Sequence, residues 1–317
     1  MIEVNGVTKH YGDKVAVDDL SFEVNPGQVT GFLGPNGSGK STTMRMIMGL
    51  DAPDSGSVRI NGRPYRNLPL PLREVGALLE AKAIHPGRSA YNHLLYLAQS
   101  NDIPRARIDE VLERVGLTEV AKQRAGKFSL GMGQRLGIAA ALLGDPQVLL
   151  LDEPINGLDP EGILWVRNLL KGLASEGRTV FVSSHLMSEM ALTADHLVVI
   201  GRGHLISTGT VSEFIAEGSG QFVRVRSPQS IELAQRLVAE GAQVINEQDG
   251  ALAVTGSSAS AIGEVAGAHG IYLHELSPQM ASLEDAFMEI TRDSVEYHGV
   301  SSSGPVAHLT PSPASRK

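Results

Sequence analysis

Residues 34–41 read Gly34-Pro35-Asn36-Gly37-Ser38-Gly39-Lys40-Ser41, a full match to G-x-x-x-x-G-K-[ST]. Each position has a chemical reason. Glycines let backbone N–H groups curl around phosphate oxygens, and a helix that follows turns its positive end toward them. Lys40 reaches the β- and γ-phosphates, and Ser41, followed by Thr42, brings a hydroxyl to Mg²⁺. A chance glycine-rich turn is the plain alternative. The strand-like VTGFL before the loop and the helix-like TTMRMIMGL after it supply the context the motif requires. A nucleoside triphosphate with Mg²⁺ is the implied ligand. Further along, QVLLLD runs into Asp152-Glu153. An Asp at the carboxyl end of a buried strand suits the Mg²⁺ site, and the adjacent Glu can polarise a water for in-line attack on the γ-phosphate. Acidic residues that simply end a strand are the competing reading for either one alone.

These groups need a frame. Short apolar runs at 29–33, 147–152, 179–184 and 196–200 alternate with helical stretches at 104–116 and 160–176, the latter opening on Pro160 with Ile163, Leu164, Leu169, Leu170 and Leu173 as apolar positions. Continuous Val- and Leu-rich strands separated by helices predict a parallel sheet covered on both faces. Met44, Met46 and Met48, after the phosphate loop, are expected to pack against that sheet.

At 317 residues the chain is long enough for one large domain and a smaller one. GSG at 218–220 marks the linker. From 221 to 290 there are three Arg and no Lys against nine Asp or Glu, a local net of −6 out of −8 for the whole chain. The pattern there is strand (QFVRVR), helix, strand (AQVIN), strand (ALAVTG), helix, strand (IYLHEL), the βαββαβ order of a ferredoxin-like module, followed by a short amphipathic helix, SLEDAFMEI. His274 and Glu275 fall on opposite faces of the expected strand, which argues against a shared metal site. The boundaries drawn are 1–218, 221–292 and a Ser- and Pro-rich disordered tail at 293–317.

Composition excludes several classes. Net acidity and 4% aromatics argue against nucleic acid as a partner. The absence of Cys excludes disulfides, thiolate metal sites and a Cys nucleophile. No apolar run reaches the roughly 18–20 residues a membrane span needs, and Glu3 and Asp13 sit where a secretion signal would be basic and then apolar.

With these motifs in this order, residues 1 to about 220 resemble the ATP-binding subunit of an ATP-binding-cassette (ABC) transporter. The resemblance implies a P-loop NTPase cassette, α/β with a mixed sheet and a helical subdomain. It makes Tyr11 the aromatic that stacks on adenine with Val17 beside it, and Asp159 of Asn156-Gly157-Leu158-Asp159 a contact to the opposite subunit. It makes His185, after Ser183-Ser184, the switch residue on the γ-phosphate, catalytic with Glu153 and Lys40. Without the family, Tyr11 would be packing, Asp159 a helix start and His185 a polar strand end. Two stretches depart from the pattern. Phe128-Ser129-Leu130-Gly131-Met132 stands where the family reads Leu-Ser-Gly-Gly-Gln, keeping the Ser129 and Gly131 that touch the nucleotide of the other subunit. Glu80 stands where a glutamine normally meets Mg²⁺; it can accept from a bound water but cannot donate.

Glu80 and the SLGMGQRLGIAAALL run at 129–143 are similar to the drug- and bacitracin-exporter branch, as is the C-terminal extension. That branch implies a head-to-tail homodimer of ATPases on the cytoplasmic face of a membrane. A separate transmembrane permease would dock near Glu80 to Ala90 and export a drug, antibiotic or lipid. The rival is a soluble ABC ATPase acting on ribosomes or nucleic acid, whose usual second cassette or coiled-coil insertion this sequence lacks. A phosphate-loop kinase would give no reason for Ser129, Gly131 and His185 to follow in this order.

Overall fold

A computed structural model describes residues 1–80, 83–218, 222–247, 249–279 and 283–291. The chain opens with strands β1 (Ile2–Tyr11), β2 (Lys14–Val24) and β3 (Val29–Leu33), then helix α1 (Lys40–Ile47) and strand β4 (Ser55–Ile60). Next come α2 (Pro71–Glu74), β5 (Val75–Leu78), α3 (Ala90–Ser100), α4 (Ala106–Arg114) and α5 (Leu130–Leu142). Strand β6 (Val148–Asp152), α6 (Pro160–Ser175), β7 (Thr179–Ser183), α7 (Met187–Thr193), β8 (His196–Gly201), β9 (His204–Thr210) and α8 (Val211–Gly218) complete the first part.

The central sheet has the order β5-β6-β7-β3-β8-β9, parallel except for the antiparallel edge strand β9. Strands β3, β6, β7 and β8 read as apolar runs because both faces are covered. In β6, Leu149 and Leu151 join one core with α3 to α6, while Val148 and Leu150 join a second core with β1, β2 and α1. In β7, Val180 and Val182 take the first side and Phe181 the second. Phe181 meets Phe22 and Phe32 at centroid distances of 5.6 and 5.0 Å, clamping the central sheet to the antiparallel sheet β2-β1-β4. Met44, Met46 and Met48 are buried in this second core, as their pattern predicts. In α6, Val166, Leu169, Leu170 and Leu173 are buried at helical spacing, but Leu164 is half exposed. It lies five residues before Leu169, off the apolar stripe.

A second sheet follows: β10 (Phe222–Arg226), α9 (Ser230–Ala239), β11 (Gln243–Asn246), β12 (Leu252–Thr255), α10 (Ala259–Ala268) and β13 (Glu275–Gln279). The order β11-β12-β10-β13, antiparallel throughout, is that of a ferredoxin-like βαββαβ unit. Val223, Val225, Leu252 and Val254 face its own core with Leu233, Leu237 and Ile262. The last strand lies at 275–279 rather than at the expected IYLHEL. Pro278 masks it in the sequence, yet β13 is an edge strand, where a residue without an N–H is tolerated. Among the described residues no group of three or more His, Asp and Glu is placed to hold a metal ion.

Helix α11 (Leu283–Thr291) departs from the expected tail of this unit. Its Leu283 and Phe287 belong to the first core, beside Phe214, Met187 and Ala191 of α8 and α7. The second unit is therefore bracketed by elements that pack on the first. The expected tail at 293–317 and residues 219–220 of the 218–220 linker lie outside the described residues.

Candidate functional site

The phosphate loop joins β3 to α1, and three of its features prepare it for an anion. Lys40 is only 8% exposed, and its Nζ donates to the carbonyls of Gly34 at 2.6 Å and Pro35 at 3.0 Å, arching back over the loop. Desolvation pushes its ammonium pKa down, opposed by the nearby Glu153 and Asp152 carboxylates. Ser38 Oγ is buried without a hydrogen-bond partner, a polar group whose burial calls for a ligand or water. At Gly39, φ is +105° and an added Cβ would sit 2.6 Å from the Ala16 carbonyl, so only glycine lets the loop turn there.

A groove of about 400 Å³ runs from this loop, with Asn36, Gly37, Ser41 and Thr42 on one side and Asp152 and Glu153 on the other. That size accommodates a nucleotide. Tyr11 lies at its rim, about half exposed. Ala16, not Val17, lines the wall beside it. Val17 is a correction to the sequence reading: it is fully buried, because alternation along β2 turns it into the core under the loop.

The acidic pair is held by residues of α1, α5 and β7 and by His185 just beyond β7. Ser41 Oγ donates to Asp152 Oδ2 at 2.8 Å, and Ser183 Oγ donates to Asp152 Oδ1. Glu153 has φ of +51°, a strained conformation for a non-glycine residue. Its N–H donates to Ser183 Oγ at 3.0 Å, and its carbonyl accepts from Gln134 Nε2 at 2.9 Å. Its Oε2 lies 2.8 Å from His185 Nδ1. Ser41, Asp152, Glu153 and His185 thus lie together at one end of the sheet. Glu80 lines an adjacent depression shared with Ser41 and Asp152. Hydroxyl and carboxylate oxygens alone form this donor set, which fits Mg²⁺.

Ser129, Gly131 and Asp159 do not line the groove. Ser129 caps α5, accepting from the N–H of Met132 at 3.2 Å, and Asp159 caps α6, accepting from the N–H of Gly162 at 2.9 Å. The two loops touch: Gly157 has φ of +75°, and a Cβ there would lie 2.2 Å from Leu130 Cδ2. Sequence reasoning missed Gln134 and the supporting role of Ser183. A Gln inside an apolar helical run was the available signal for Gln134, which the structure buries at 4% exposure.

A glycine loop at the carboxyl end of a parallel strand, a lysine folded over it and an acidic pair at the end of β6, one strand removed across β7, define a P-loop nucleoside triphosphatase. The comparisons narrow this class. The ABC transporter family model matches residues 17–156, and a domain of unknown function, DUF8746, matches residues 221–284. The uncharacterized ABC transporter ATP-binding protein YhcH of Bacillus subtilis is 38% identical over 93% of this chain and 97% of its own length. The bacitracin transport ATP-binding protein BcrA of Bacillus licheniformis is 46% identical over 65% of this chain and 68% of its own. The dimeric structure of MJ0796, a bacterial ABC transporter cassette, superposes with a TM-score of 0.62 at 26% identity, covering 67% of this chain and 99% of that one.

The chain belongs to the family of ABC transporter ATP-binding subunits. It is an ATP-binding ATPase of that family, whose members dimerise and pair with membrane permeases. The alternative of a ribosome- or nucleic-acid-directed ATPase gains no support from these relatives. Among the described residues no helix is long and apolar enough to cross a membrane.

Proposed function

We propose that this subunit powers export of a peptide antibiotic, of the bacitracin or lantibiotic kind, through a separate multispanning permease at the cytoplasmic face of the membrane. The names of its relatives support the substrate class. The observation that carries the catalytic reading is the Glu153–His185 contact at 2.8 Å beside the Ser41–Asp152 contact at 2.8 Å.

ATP binds with its base on Tyr11 and its phosphates on residues 34–42. Ser41, Asp152 and Glu80 would hold Mg²⁺, which would neutralise phosphate charge there. Lys40 leaves its two carbonyl partners for phosphate oxygens. Glu153 takes the proton of the attacking water, and His185 orients Glu153 and then meets the γ-phosphate. Ser129, Gly131 and Asp159 act on the nucleotide held by a second copy of the chain. The domain limits proposed are 1–218 for the cassette and 221–292 for the appended segment, with α11 packed back on the cassette.

Deletion in the source organism tests the transport assignment. Greater sensitivity to bacitracin or a lantibiotic, reversed by the intact chain but not by Glu153→Gln, is expected. Unchanged sensitivity to both overturns the substrate class and leaves the ATPase reading to its own assays.

A further inference from the structure

Tyr11 ends β1 with its ring at the groove rim, a place where an aromatic side chain would otherwise swing freely. Its hydroxyl is instead fastened from behind. Tyr11 Oη donates to Asp51 Oδ2 at 2.6 Å. The same carboxylate takes both arms of Arg45, Nε to Oδ2 at 2.7 Å and Nη2 to Oδ1 at 3.1 Å. Arg45 stands on α1, one turn beyond Ser41.

The segment carrying Asp51 is pinned to β1 a second time. Asp54 Oδ2 accepts from the backbone N–H of His10 at 2.6 Å, while Lys9 Nζ donates to Asp54 Oδ1 at 3.1 Å and to the Ala52 carbonyl at 2.8 Å. The Asp51 side chain is 17% exposed and is not part of the groove lining. Hydrogen bonds from Arg45 first and Tyr11 second hold its carboxyl at about 2, so it is ionised at any working pH. A charge-assisted acceptor of this kind fixes geometry more firmly than a neutral one.

We infer that Asp51 is a positioning residue for nucleotide binding: it locks the Tyr11 ring in its base-stacking orientation, and Arg45 ties that lock to the helix bearing Lys40 and Ser41. The inference rests on Tyr11 being the base platform. A platform immobilised before ligand arrives removes an ordering cost from binding. The benefit reaches only ligands that carry a base.

The test uses the full chain and steady-state ATP hydrolysis. Asp51→Ala should raise KM for ATP by roughly three- to tenfold, the scale of ordering one side chain, with kcat retained. Competitive inhibition by inorganic tripolyphosphate, which has no base, should not change. Tyr11→Phe keeps the ring and removes the hydroxyl, so it should reproduce the effect, and the double variant should add nothing further. Full additivity, or equal weakening of tripolyphosphate, overturns the inference. Should Asp51→Ala fail to fold, Tyr11→Phe decides alone, because its site is exposed. Tyr11→Ala separates the two levels. If ATP affinity survives it, the base platform and the lock fall together; if it weakens ATP while Asp51→Ala and Tyr11→Phe do not, only the lock falls.

Discussion

His185 Nδ1 and Glu153 Oε2 lie 2.8 Å apart although the two residues leave different strands of the central sheet. The pairing Asp152↔Ser183 sets β6 and β7 in register, and the next residue of β6 must turn sharply to meet the residue two beyond Ser183. That turn is the φ of +51° at Glu153, a conformation costing about 1–3 kcal/mol that persists only when surroundings enforce it. Ser183 and Gln134 enforce it by holding the Glu153 backbone on both sides. Both side chains of the pair stay accessible to solvent, His185 at 48% and Glu153 at 26%, so the contact is open to a ligand.

Glu153→Gln tests the base. The amide keeps the shape and can still contact His185, but it cannot take a proton from water. Turnover should fall by roughly 10² to 10⁴, the range for a positioned general base, while ATP binding survives. Hydrolysis near the parent rate would remove Glu153 from that role.

Lys40→Ala addresses the loop. It deletes the bonds to the Gly34 and Pro35 carbonyls and the ammonium that makes them. Nucleotide affinity should be lost, as read by equilibrium titration with a fluorescent ATP analogue. An unchanged dissociation constant would contradict the phosphate-loop assignment.

Much of this site was legible because the phosphate loop and the acidic strand end carry residue types that few other structures require in that spacing. The sheet was legible for a related reason: β3, β6, β7 and β8 are covered on both faces, so their sequences are apolar throughout. Val17 was misread because a residue's facing depends on strand phase, which a short motif does not state. Strand β13 was displaced from its expected position because Pro278 is disfavoured in strands, and only the sheet order reveals that the strand is at an edge. Asp51 and Gln134 were missed for a common reason: each acts on a residue far away in sequence, through a contact that only the fold creates.

Ser129 and Gly131 lie outside their own chain's groove, which predicts complementation between defective copies. Ser129→Arg keeps its phosphate loop, and Lys40→Ala keeps its signature loop. Mixed pairs therefore contain one intact composite site. ATPase activity should be absent from each variant alone and return on mixing. No recovery, with mixed dimers demonstrated by size-exclusion chromatography, would mean that the site is built within one chain.

Glu80 shares a depression with Ser41 and Asp152, so its carboxylate adds a second acidic group on the metal side of the groove. Glu80→Gln removes that charge and retains a carbonyl oxygen. The Mg²⁺ concentration for half-maximal hydrolysis should rise, by about tenfold on the scale of outer ligand-shell substitutions. A Mg²⁺ titration curve that superposes on the parent's would show that Glu80 does not act on the metal.

Helix α11 yields a prediction about the appended segment that the βαββαβ pattern alone would not make. Phe287 is 8% exposed and Leu283 is 2% exposed, packed in the same core as Met187 and Ala191 of α7 and Phe214 of α8. Helix α7 begins two residues after His185, so a loosened α11 reaches the catalytic face through one helix. Removing a buried phenylalanine ring costs about 3–5 kcal/mol, whereas trimming an exposed apolar residue costs less than about 0.5 kcal/mol. Phe287→Ala should therefore lower the thermal midpoint of the cassette, while Ile231→Ala on α9, 76% exposed, should leave it in place. A chain of two units need not unfold in one step, so the midpoint must be assigned to the cassette by its shift on adding ATP. If Phe287→Ala moves only the transition that ATP does not shift, α11 stabilises the appended unit instead of bracing the helix behind His185.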